Sequence, residues 1–162
     1  METAKYLKIP AIGQLDMMAC WAASLKWWYR AAKHIGKSQR KIIDKYNYLS
    51  DEYGAMQIPA IEQIITDNDM YIEVFDNARD FTAEVVAQRL TYSPLYVAYT
   101  ETSSQKKHVN VIYAVSGTGA NARVSVMEPQ VAENSDGTWR GAHQTKFLSE
   151  FNQHGSVHFG YL

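Results

Sequence analysis

The sequence predicts an α+β fold in which a helical first half packs on an antiparallel sheet formed by the second half. Three observations predict it. Apolar residues recur at helical spacing from about Cys20 to Asn68, β-branched and aromatic runs of strand length predominate after Met70, and those runs are joined by short polar turns. With 162 residues the chain reads as a single domain over 1–162, long enough to bury about two thirds of its unfolded surface.

Residues Tyr6 to Gly13 read as a short extended lead-in punctuated by Pro10 and Gly13, and Asp16 stands where it would cap the next element. From about Cys20 to Lys33, Trp21, Leu25, Trp28 and Ala32 repeat at three- and four-residue spacing while Lys26, Arg30 and Lys33 fall elsewhere. That pattern predicts a helix closed by His34-Ile35-Gly36, with adjacent Trp27 and Trp28 not both facing the core. A second helix is predicted from Gln39 to about Leu49, with Ile42, Ile43, Tyr46 and Leu49 on one face. Ile58-Pro59 opens a third, because proline suits a first helical turn, and Ile61, Ile64 and Ile65 give it a buried stripe ending near Asn68.

Met70 to Phe75 then reads as a strand and Phe81 to Leu90 as a helix. Strands follow over Leu95 to Thr100, His108 to Val115 and Arg123 to Met127, separated by the polar segment Ser103 to Lys107 and by a hairpin turn at Ser116 to Asn121. Gln130 to Gln144, polar and containing Asp136-Gly137, reads as an exposed loop. A short helix from Thr145 to Phe151 and a last strand from Ser156 to Tyr161 complete the pattern, with a cleft where the first long helix meets the sheet.

Composition narrows the function classes. Sixteen Lys and Arg against 17 Asp and Glu give a formal net charge of −1, with the basic residues read as scattered except for a few on helices, so nucleic acid is not the expected partner. Met1 to Pro10 has no long apolar core, and nowhere is an apolar stretch long enough to cross a bilayer, so no membrane partner is expected and the chain reads as soluble. A single cysteine gives no disulfide framework and suits a reducing compartment. His154 and His158 do not share a helix face, and Gly117-Thr118-Gly119 lacks the third glycine of a phosphate loop, so neither a metal nor any other cofactor is expected.

The chemistry centres on Cys20, which stands directly ahead of the first long helix. A helix N-terminus offers unpaired N–H groups and a partial positive charge, both favouring a thiolate and both able to hold an oxyanion. Such a thiol acts as a nucleophile when a histidine serves as its base, and His108, opening an apolar strand, is the candidate. Taken alone, Cys20 would more often be an inert core thiol and His108 a hydrogen-bonded core residue; their surroundings reverse the balance. Met17 and Met18 stand beside the thiol, either as cleft lining or as flexible filler.

Gln14, followed six residues later by Cys20 and then Trp21-Ala22-Ala23-Ser24, resembles the oxyanion glutamine and nucleophile segment of papain-like cysteine peptidases. His108-Val109-Asn110-Val111-Ile112-Tyr113 resembles their histidine strand. The order is similar to that of the bacterial C39 and AvrRpt2 groups, in which Asp-Pro occupies a third position; here Glu128-Pro129 stands there, one methylene longer, with Asn110 and Asn121 as alternatives.

The resemblance implies a papain-like α+β fold and a cysteine endopeptidase with Cys20 as nucleophile, His108 as base, Glu128 as orienting acid and Gln14 as oxyanion donor, acting on a protein substrate. It further implies a bacterial effector or toxin domain excised from or delivered by a larger system, cleavage after Gly or Gly-Gly, and a dedicated immunity or inhibitor protein as partner. The location implied is cytoplasmic, or secreted and delivered into the cytoplasm of a target cell. Two other readings use the same residues: a thiol-dependent amidase, deamidase or acyltransferase, and a binding module that has lost activity on the same scaffold.

Overall fold

Helical and strand periodicities resolve, in a computed structural model that describes residues 3–162, into five α-helices and six strands among the described residues. Met1, the start of the segment considered for an apolar leader, lies outside them. The helices are α1 (Thr3–Leu7), α2 (Cys20–Trp28), α3 (Gln39–Tyr46), α4 (Ile58–Asp67) and α5 (Ala83–Arg89). The strands are β1 (Tyr71–Phe75), β2 (Leu95–Thr100), β3 (Lys107–Ser116), β4 (Arg123–Glu133), β5 (Trp139–Phe147) and β6 (Val157–Tyr161).

All strand pairs are antiparallel, in the order β1-β6-β2-β3-β4-β5. Alternation along the strands divides the interior in two. Tyr96, Ala98, Val109, Val111 and Tyr113 face the layer holding α1 to α4, and Val97, Tyr99, Ile112, Val124 and Val126 face α5, Phe81 and Phe151. Side-chain caps begin two of the helices: the Ser38 and Thr82 hydroxyls accept from the Lys41 and Val85 N–H groups. Pro59 occupies the first turn of α4 as expected.

The structure departs from expectation at four places. Residues within Tyr6 to Gly13 are not wholly extended, since α1 runs through Leu7. Asp16 caps no helix: its carboxylate accepts from the Met18 N–H inside the loop, and Ala19 holds the cap position of α2. The loop expected over Gln130 to Gln144 and the helix expected over Thr145 to Phe151 are instead the long hairpin of β4 and β5, with Asp136-Gly137 in its turn and only a 3-10 turn at Leu148–Glu150. β5 is an edge strand paired on one side, so few of its residues are buried and it carries little apolar signal.

The fourth correction concerns Trp27 and Trp28, which are both fully buried. Trp27 packs among Tyr6, Tyr113 and His143, while the Trp28 indole N–H donates to the Pro94 carbonyl at 3.0 Å. The helix is enclosed on more than one side because α1 brings Tyr6 over it, so α2 behaves as a buried helix and not as an amphipathic surface one. Trp27→Ala is expected to lower the unfolding free energy by about 3–5 kcal/mol, measured by urea denaturation. A loss below about 1 kcal/mol would contradict this enclosure.

Candidate active site

The start of α2 is pinned to β2 and to the start of β3. The Ser24 hydroxyl donates to the Val109 carbonyl at 3.2 Å, and the Tyr96 hydroxyl donates to the Trp21 carbonyl at 2.9 Å. These bonds bring Cys20, first residue of α2 and partly buried, beside His108 near the start of β3, where both line one cleft. The Cys20 N–H has no partner among the described residues, as expected for the first turn of a helix.

His108 Nε2 lies 2.6 Å from Glu128 Oε2, which leaves Nδ1 as the ring nitrogen available to the thiol. Both side chains are nearly fully buried. The acid is itself held at three points, because Oε2 also accepts from the Gln130 N–H at 3.0 Å and Oε1 accepts from Lys146 Nζ at 2.6 Å. Strand alternation explains the convergence: pairing places Tyr99 opposite His108, and Lys146 opposite Val124, on the α5-facing side of the sheet.

Charge in this buried site is strongly coupled. Burial, the largest single influence, disfavours the imidazolium, but the hydrogen bond and charge of Cys20 and those of Glu128 outweigh it and raise the His108 pKa to about 10. Burial likewise disfavours the Glu128 carboxylate most strongly, yet His108 and Lys146 together bring its pKa down to about 2. At neutral pH the site therefore holds a cationic imidazole between a sulfur and an ionised carboxylate.

The remaining sequence candidates separate. Asn110 is committed elsewhere, its Oδ1 accepting from the Tyr99 hydroxyl at 2.8 Å and from Lys146 and its Nδ2 donating to the Val109 carbonyl, and Asn121 lies in the turn between β3 and β4. Gln14 departs from its expected role. It is fully buried, and its Nε2 donates to the carbonyls of Asp16 and Met17, both at 2.9 Å, so both amide hydrogens are spent on bracing the loop and neither is offered to an oxyanion.

The loop carrying Gln14 is seated in a break in the β4–β5 pairing between Glu128 and Ala132. The Gln14 N–H donates to the Pro129 carbonyl at 3.1 Å and the Trp139 N–H to the Gln14 carbonyl at 2.8 Å. Backbones meet so closely that a Cβ on Gly13 would lie 1.7 Å from the Trp139 carbonyl oxygen and one on Gly141 2.3 Å from that of Ile12.

A cleft of about 480 Å³ opens over Cys20, His108 and Glu128, lined by Met17, Met18 and Met56 and walled by Trp21 and Trp139. Both methionines beside the thiol thus line the cleft. The indole N–H groups of Trp21 and Trp139 are buried without a hydrogen-bond partner among the described residues. Glu101, His108 and Glu128 bring ligand atoms within 4.8 Å of one another, but His108 and Lys146 already occupy the Glu128 oxygens, so a cation would have to displace an ammonium group. Lys146, Trp139 and Glu101 are not singled out from sequence; on the edge strand β5, Trp139 falls in the stretch that reads as loop and Lys146 in the one that reads as a short helix.

A family model described as papain-like cysteine protease AvrRpt2 matches residues 4–152. Among solved structures, the peptidase domain of Streptococcus ComA, a bifunctional ABC transporter involved in a quorum-sensing pathway, is similar at a TM-score of 0.57. It shares 12% identity, covering 94% of this chain and 98% of that one, a likeness of papain-like fold. No curated protein sequence matches.

Proposed function

The chain belongs to the papain-like cysteine protease family described as AvrRpt2, and from that premise we propose an endopeptidase in which Cys20, His108 and Glu128 act as a triad. The single observation that carries this reading is the line of contacts from the α2 N-terminus through His108 to a buried, ionised Glu128. Cys20 attacks a substrate carbonyl as the thiolate, the Sγ–C bond forming as the carbonyl π pair moves to oxygen. The Cys20 N–H, aimed from the first helical turn, stabilises that oxygen. His108 then gives its proton to the leaving amine, and water, deprotonated by the same imidazole, releases the acyl group.

Trp21, Trp139 and Tyr99 on the cleft wall support a substrate with glycine on the acyl side of the scissile bond, since a larger side chain would meet these rings. In this reading the domain is a bacterial effector or toxin acting on a cytosolic protein of a target cell, held in check by an inhibitor that fills the cleft. No helix among the described residues is long and apolar enough to cross a membrane, in keeping with that role. The test is the comparison of new N-termini in a whole-cell protein extract treated with wild type or Cys20→Ala. New termini following glycine, present only with wild type, are expected. Deamidated glutamine without new termini would transfer the same thiol chemistry to an amidase or deamidase.

Lys146 serves as a positioning residue in this mechanism. By holding Oε1 it fixes the rotation of a carboxylate whose longer arm would otherwise have more freedom than an aspartate. Lys146→Met is expected to lower kcat by roughly 10- to 100-fold with little change in KM, and Lys146→Arg to restore most of it. A change confined to KM in a steady-state assay would remove this role.

A further inference from the structure

The near-neutral net charge conceals a strong segregation. Residues 26–45 hold seven of the chain's 16 Lys and Arg against one acid, Asp44, whereas the other nine basic residues face 16 acidic ones. All but Lys37 are the helix-borne basic residues excepted from the otherwise scattered distribution. Three of the seven line one concavity of about 350 Å³, separate from the thiol cleft: Lys37, just ahead of α3, and Lys41 and Lys45, four residues apart on it.

Its floor contains buried polar groups beside apolar Leu25 and Ile42. Tyr29, Tyr46 and Asn68 are buried there, with Asn68 taking the Tyr29 hydroxyl hydrogen and donating Nδ2 to the Tyr46 hydroxyl oxygen at 3.0 Å. The Tyr46 hydroxyl hydrogen has no acceptor among the described residues. None of the three lysines has a carboxylate within ion-pair distance among the described residues, although Asp44 is on the same helix. Lys37 and Lys45 instead sit over the rings of Tyr29 and Tyr46, at 4.8 and 5.3 Å from the centroids. Lys33, also near Tyr29, is paired with Asp69 at 3.9 Å. Three like charges around one cup, unneutralised, make a site whose empty state is electrostatically unfavourable and whose complement is a compact polyanion.

We propose that this pocket binds a small ligand carrying two or more phosphate groups. Its volume suits a phosphorylated small molecule. An extended polyanion such as nucleic acid would also have to be accommodated by the remainder of the chain, in which nine basic residues stand against 16 acidic ones. The proposal is independent of the peptidase reading and is tested by binding alone.

Isothermal titration of the full chain with inositol hexakisphosphate, pyrophosphate and inorganic phosphate at about 0.15 M salt is the experiment. Vesicles of phosphatidylcholine with and without phosphatidylinositol bisphosphate form the second arm. Wild type is expected to bind inositol hexakisphosphate more tightly than pyrophosphate, and pyrophosphate more tightly than phosphate. K37Q/K41Q/K45Q is expected to weaken the first by at least tenfold, whereas K8Q/R79Q/R140Q, equal in charge change and placed elsewhere, leaves it within twofold. Binding to the soluble probes alone identifies a free metabolite as the source, and vesicle binding that the first triple variant abolishes identifies a lipid headgroup. Absence of binding to both kinds of probe at millimolar phosphate, or equal losses in the two triple variants, would overturn the proposal. Circular dichroism of each variant separates loss of binding from loss of fold.

Discussion

Cys20→Ala is expected to lower turnover by on the order of 10⁴-fold or more while leaving the fold intact. In the proposed mechanism the sulfur supplies the bond that splits peptide cleavage into two easier steps, and the chain holds no other cysteine to replace it. Alanine fits where cysteine stood, at the start of a helix whose packing rests on Trp21, Leu25, Trp27 and Trp28 rather than on the thiol. Members of one catalytic unit fail together, so the double variant Cys20→Ala/His108→Ala is expected to be no slower than Cys20→Ala alone. Multiplicative losses in single-turnover rates would show the two residues acting separately. The same substitution removes the sulfur's hydrogen bond and charge from the imidazole, so the His108 pKa is expected to fall from about 10, read by NMR titration of the ring protons.

Glu128→Gln is expected to slow kcat/KM by about 10²- to 10⁴-fold. Glutamine keeps the length and an acceptor oxygen but lacks the charge that sustains the His108 cation, and it leaves Lys146 facing a neutral amide. Losing that charge lowers the His108 pKa, so the alkaline limb of the kcat/KM profile moves to lower pH. Stability follows the same linkage. Glu128, with its pKa lowered from 4.5 to about 2, contributes stability that is complete above about pH 4.5 and is lost as pH falls through 2. His108, raised from 6.5 to about 10, contributes stability that is complete below about pH 6.5 and is lost as pH rises through 10. The melting temperature of wild type is therefore expected to be highest between these limits, and that of Glu128→Gln to vary less on both sides. Full activity with an unmoved alkaline limb would assign the orientation of His108 to another group.

Where side chains announced their environment, the sequence was legible. The isoleucine stripe of α4, the apolar runs of β2 and β3, and the Gly-rich turn before β4 lie close to their expected places because burial selected their periodicity. The conjunction of Cys20, His108 and Glu128 was legible through residue type and order, and the sheet register explains why Asn110 did not displace Glu128. β5 was not legible, since an edge strand exposes much of its length and reads as polar loop. Trp139 was hidden with it, and Lys146 fell in the segment that read as a short helix. The Gln14 amide was misjudged for a different reason: hydrogen bonds to carbonyls two and three residues ahead depend on loop shape, which residue spacing alone does not encode.

The abutting backbones of Gly13 and Gly141 bear on the order of assembly during synthesis. The residues ahead of the thiol acquire their seat only when a stretch well over a hundred positions later has emerged from the ribosome, and the imidazole's acid and its lysine anchor arrive in that same late stretch. A nascent chain stalled before the β4–β5 hairpin has its sulfur but no formed groove around it, so the cleft is completed only once that hairpin has been made.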